Sequence, residues 1–250
     1  TTYKTAYFTE PLKVLFFNAS DSDCYTAAIL NTTGGLMGGD KLELKLVAEP
    51  GTDLTITSQA AERIYKSQGE ICTVDIDIFC DQHATFEWLP LETIFFNHCK
   101  YRRNVDVHLQ ENSVFFAGEM YVFGRKAHGE KLENCLIHDC WNFHLNGKKL
   151  FKDLFHLEGN LEWYFTTSSV LKNINAYAIC FFFAKENEVE PYSLIENDIL
   201  ASTTYVNQMQ IFRVAGVNIQ KVREVFIEYM ITLRNKHIDR KGDLPRFWYI

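Results

Sequence analysis

The chain has 250 residues with 25 Lys and Arg against 32 Asp and Glu, a formal net charge of −7. That balance argues against a nucleic-acid binder, which would want a basic face, and it gives no pull toward anionic membranes. The length suffices to bury a large core unaided, and 20 Phe and 12 Tyr favour the pleated surfaces of strands.

The first unusual stretch runs from Asn31 to Asp40 and holds Gly34, Gly35, Gly38 and Gly39. Gly34 and Gly39 have the internal spacing of a phosphate loop, but Asp40 stands where that motif requires Lys. A carboxylate there repels phosphate, so a tight glycine turn is expected, with Asp40 as a hard oxygen ligand or a partner contact. Leu42, Leu44 and Leu46 then alternate with charged residues, as do Leu54 and Ile56 with threonines, Val74, Ile76 and Ile78 with aspartates, and Val105, Val107 and Leu109 with polar groups. This is the period of half-buried strands. Turn signals at Pro50-Gly51, Asp81-Gln82, Glu111-Asn112, Asn146-Gly147 and Gly159-Asn160 separate the runs.

A degenerate repeat lies over this pattern. A strand, a polar turn and a second apolar segment recur over 42–56, 74–88 and 105–116, a period of about 30 residues. Each unit runs on to an acidic residue: Glu62, Glu92 and Glu119. Between them, Pro90 marks a strand end, and Glu87 and Glu92 are expected either in solvent or in a polar interior. The Gly124–Glu130 segment reads as a surface loop or a docking loop. In 135–144, His138, Cys140 and His144 share one strand face while Ile137, Trp141 and Phe143 share the other. Six residues of strand keep His138 and His144 too far apart to chelate one ion. Farther on, Ser193-x-x-Glu196 resembles a capping box that would start a short helix. Val222, Val225, Phe226, Tyr229, Met230 and Leu233 mark an amphipathic helix over about 218–236, N-capped by Asn218.

These elements predict an all-β fold in one domain over 1–250: a layered, β-helix-like or sandwich arrangement of many short strands, with about two helices toward the C-terminus. Seven cysteines without a Cys-x-x-Cys pair suit a reducing, cytoplasmic setting, and the longest apolar run, Ala176 to Ala184, is too short to span a bilayer. His-x-His, His-Glu-x-x-His and Gly-x-Ser-x-Gly are all absent, so no catalytic constellation stands out.

Six ordered motifs resemble the UreD/UreH family of urease accessory proteins. They are Gly34-Gly35 with Gly38-Gly39-Asp40, then Glu62-Arg63-Ile64-Tyr65, Glu87 to Ile94, Tyr101-Arg102-Arg103, Gly124-Arg125 with Gly129-Glu130, and Leu244-Pro245-Arg246-Phe247-Trp248. The resemblance implies a non-enzymatic scaffold that acts with UreF and the GTPase UreG on the urease apoprotein, in a higher-order complex through UreF. It also implies a water-filled passage for transient nickel(II), with no tightly bound cofactor. Asp40, Glu92, Glu119 and Asp153 are the carboxylates expected to face that passage. The glycines, Glu62, Arg63, Tyr65, Arg125, Glu130, Arg246 and Trp248 are expected to hold the fold or contact partners. Two alternatives stay open: a metal-dependent β-barrel hydrolase using His138 and His144, and an adaptor that never touches nickel.

Overall fold

The alternating segments become strands whose apolar parity points inward. In a computed structural model, the structure describes residues 6–18, 25–125, 128–167, 173–185, 191–196, 198–238 and 243–249. The chain winds as a solenoid. β2 (Tyr25–Asn31), β4 (Asp53–Ser58), β7 (Thr85–Leu89) and β10 (Val114–Phe123) stack in parallel on one side. β3 (Lys41–Ala48), β6 (Cys72–Cys80), β9 (Lys100–Leu109) and β11 (Cys135–Leu145) stack in parallel on the other. Short strands β5 (Glu62–Ile64) and β8 (Thr93–Phe95) turn the corner between the sides; β5 pairs with β8, and β8 with the end of β10. Leu54 pairs with Phe86 and Phe86 with Phe115, so one coil takes roughly the 30 residues of the sequence repeat.

Antiparallel strands finish both sides. β1 (Leu12–Asn18) pairs with β2 at one edge, and β12 (Lys148–Gly159) pairs with β11. Beyond β10 come β13 (Ala176–Phe183), β16 (Met209–Gly216), β15 (Ile199–Val206) and β14 (Ser193–Glu196), giving sheets of eleven and five strands. The Ala176–Ala184 run is β13, whose residues are all buried. Tyr177, Ile179, Phe181 and Phe183 enter the core between the sheets, and Ala176, Ala178, Cys180 and Phe182 enter a second core outside. A strand covered on both faces reads as a continuous apolar run rather than an alternating one.

The second core forms under helix α2 (Ile219–His237), which crosses β10, β13 and β16. Asn218 caps it, its side chain accepting from Lys221 N at 3.1 Å. The helix comes so close to β10 that a Cβ at Gly118 would collide with Met230 Sδ. α1 (Glu162–Thr166) is a five-residue turn with Phe165 buried. The Ser193–Glu196 segment is not a helix but the edge strand β14. Its amides and carbonyls find partners in β15, which resumes at Ile199 and leaves no length for a helix after the capping box.

Candidate functional site

A cavity of about 210 Å³ opens inside the solenoid, walled by aliphatic residues of the parallel strands such as Leu42, Leu44, Val74 and Ile76. Its polar lining includes Glu62, Arg63, Trp88, Tyr101, Arg103 and Glu119. Glu62 is half-exposed and receives Asn31 Nδ2 at 3.2 and 3.3 Å, while burial pushes its pKa up. Glu119 is 1% exposed.

Three charged groups meet at Glu119, all inward on parity that otherwise carries apolar residues. Arg103 on β9 makes a bidentate pair with Asp139 on β11, at 2.8 and 2.9 Å. Its Nη1 reaches Glu119 Oε1 at 2.7 Å, and its Nη2 reaches the Tyr121 hydroxyl at 2.8 Å. Tyr121 in turn donates to Asp139, and Trp88 Nε1 donates to Glu119 Oε1 at 2.7 Å. Arg103 also lies 5.6 Å from the Trp141 ring centre, within cation–π reach.

Two features make this more than a structural ion pair. Ionised, the cluster holds two carboxylates against one guanidinium, a deficit that a low-dielectric interior amplifies. Further, Glu119 Oε2 is buried without a hydrogen-bond partner. Burial raises the Glu119 pKa, with Arg103 pulling the other way. Arg103 is held charged: burial opposes its charge, but Asp139 and Glu119 outweigh that and lift its pKa further. The cluster therefore has room for one more positive charge near the orphaned oxygen, as a proton or as a cation.

The other expected carboxylates sit elsewhere. Asp40 closes the glycine turn, its Oδ2 accepting from Met37 N at 2.8 Å. Glu92 binds Arg223 of α2 at 2.6 Å, and the same arginine donates to Trp248 O at 2.8 Å. Asp153 on β12 pairs with Arg213 of β16, and burial raises its pKa. Of the four, Glu119 alone lines the cavity. Among the described residues, no three His, Cys, Asp or Glu side chains converge as a ready metal centre. His138 faces His156 and His144 stacks on His108, so the two histidines do not share a centre. Glu87 is fully buried rather than solvated, held by Arg234 of α2 at 2.7 Å and Thr55 at 2.5 Å.

The remaining motif residues assemble the corner of the coils. At Gly35, with φ +151°, a Cβ would collide with the Tyr65 ring and approach Arg63 O. Gly38 and Gly39 are pressed against Ser67 and Glu70 in the same way, while Gly34 O accepts from Tyr65 OH at 3.3 Å. Tyr65 packs edge-on against Phe96, and Arg125 lies over Phe96 at 4.6 Å. Glu130 holds Arg125 and accepts from Asn97 N at 3.1 Å; Lys126 and Ala127 of that loop lie outside the described residues. Trp248 is buried and donates to Leu89 O at 3.1 Å, whereas Arg63 and Arg246 face solvent.

A family model of the UreD urease accessory protein matches residues 1–249. The chain belongs to the UreD family. Among UreD relatives, that of Magnetococcus marinus, a urease accessory protein UreD, is 31% identical over 99% of this chain and 88% of its own length. The UreD of Microcystis aeruginosa is 31% identical over 97% and 91% of the two chains, and that of Rhizobium rhizogenes 30% over 89% and 80%. Glu119 is among the carboxylates that the sequence points to, whereas Asp139, which shares Arg103 with it, is not. The signal was available, because Arg103 and Asp139 share inward parity with Tyr101, Val105, Ile137 and Trp141.

Proposed function

We propose that this chain is a non-catalytic urease maturation factor, acting in the cytoplasm with UreF and the GTPase UreG to bring nickel(II) to the urease apoprotein. In this reading the ion travels through the solenoid interior. One observation carries it: Glu119, whose Oε2 is buried with no partner, is a residue of the cavity lining and belongs to a cluster lacking one positive charge. A single carboxylate backed by Arg103 and Trp88 attracts a divalent ion yet supplies too few ligands to hold it, which suits transit. Glu62 at the half-exposed part of the lining supplies a second oxygen step. Asp40, Glu92 and Asp153 serve in this scheme as local anchors, of which the Glu92–Arg223 pair fastens α2 to the coil corner.

The test is Glu119→Gln. Its amide oxygen keeps the hydrogen bonds from Trp88 and Arg103, while the charge and the free carboxylate oxygen disappear. We expect co-purification with UreF to persist and urease activation to fall about tenfold, the scale of losing one group that supports a metal. Unchanged activation with Glu119→Gln would favour an adaptor that does not touch nickel.

A further inference from the structure

The outer face of the five-stranded sheet carries a histidine pair that the interior cavity does not use. His138 on β11 and His156 on β12 are direct cross-strand partners. Their rings stand 75° apart with centroids at 5.2 Å, and the two Nδ1 atoms face one another at 3.1 Å. Behind His156, Glu158 Oε2 lies 3.6 Å from Nε2. A carboxylate on that side favours the Nε2–H tautomer and leaves the Nδ1 lone pair of His156 pointing at His138. Without a metal, one Nδ1 proton serves both rings as an N–H···N hydrogen bond, whose length fits the spacing.

We infer that His138 and His156 form a two-histidine chelate on the outer surface of the sheet, binding one divalent borderline ion such as Ni²⁺, Cu²⁺ or Zn²⁺ through both Nδ1 atoms. The spacing supports this quantitatively. With metal–nitrogen bonds of about 2.0–2.1 Å, a separation of 3.1 Å sets the N–metal–N angle at roughly 95–102°, between octahedral and tetrahedral values. Imidazole nitrogen suits all three of these ions. Glu158, 3.6 Å from His156 Nε2, lies within ion-pair distance, and its charge on the far side of the ring raises ligand basicity. Partial burial, His156 and Arg102 also lower the His138 pKa below the ordinary imidazole value. Arg102 on β9 and Lys152 on β12 bring positive charge near the pair, so water completes the coordination and the ion exchanges readily.

This site stands apart from the interior route and does not depend on it. The experiment titrates the purified full-length chain with NiCl₂, CuSO₄ and ZnCl₂ in turn, by calorimetry, and records the Cu²⁺ electron paramagnetic resonance spectrum. One equivalent should bind with two-nitrogen superhyperfine structure. His138→Asn or His156→Asn should each weaken binding at least tenfold and remove one nitrogen from the spectrum. Glu158→Gln should weaken it about tenfold while keeping both nitrogens. His144→Asn should leave this binding as in the wild type. Wild-type affinity and spectrum in both His138→Asn and His156→Asn, or no binding by the wild type, would overturn the inference. His156→Gln provides a second variant at that position should the asparagine fail to fold.

Discussion

Arg103 is the residue on which the interior depends. It binds Asp139 twice, Glu119 once and Tyr121 once, at 4% exposure. Removing one partner of a buried ion pair is costly because the other charge is left stranded. Arg103→Met should therefore lower stability by about 3–5 kcal/mol, measured by urea denaturation of the purified chain. Glu119 behaves oppositely. Its folded-state pKa is raised above the ordinary 4.5, so its ionised form is penalised on folding. That penalty is fully present above the folded pKa and vanishes as pH falls toward 4.5, because the folded state then binds the proton more readily than the unfolded one. Glu119→Gln removes this term. Denaturation curves should find the variant gaining on the wild type at neutral pH, with the gain shrinking on acidification. A constant gap across that range would contradict the buried, ionisable Glu119. The charge was visible in the sequence as an inward-parity residue, but its partners were not. Asp139 and Glu119 meet Arg103 from different strands, 36 and 16 residues away, and only the register of the coils brings them together.

At the scale of elements, α2 and the parallel strands were legible because each carries one clean period. The helix runs from 219 to 237 behind its Asn218 cap, close to the stretch that the apolar spacing marks. Asn218→Ala should cost about 1 kcal/mol, seen as a lower unfolding midpoint without loss of helix content. Gly118→Val should cost about 1–3 kcal/mol, since the side chain has nowhere to go but into Met230 and Phe226. The capping-box reading at Ser193 failed for a tertiary reason. A local signal for a helix start competes with an available strand partner, and β15 follows too soon for any helix to form. Likewise Glu87 gave no local sign of burial. Its partner Arg234 lies 147 residues away on α2, and no local pattern encodes a pair of that span.

Across the whole molecule, the repeat of about 30 residues was the coil itself. Its strands, turns and corner residues recur in order because each coil buries a face that it cannot bury alone. The antiparallel closure by β12, β13 and β14–β16 left no repeat to read, and it is this closure that supplies the second core and the seat for α2. The result is a solenoid with a charged, partly hollow interior, a covered sheet on one side, and on the other an exposed sheet face bearing the histidine pair. The proposed nickel route runs through the hollow interior. Filling it with Leu44→Trp tests this most directly, because Leu44 lines the cavity and its side chain is not part of the charged cluster. The measurement is the nickel content of urease matured with the variant, under conditions where UreF co-purification matches the wild type. An interior route requires nickel-poor urease; full nickel loading would contradict it.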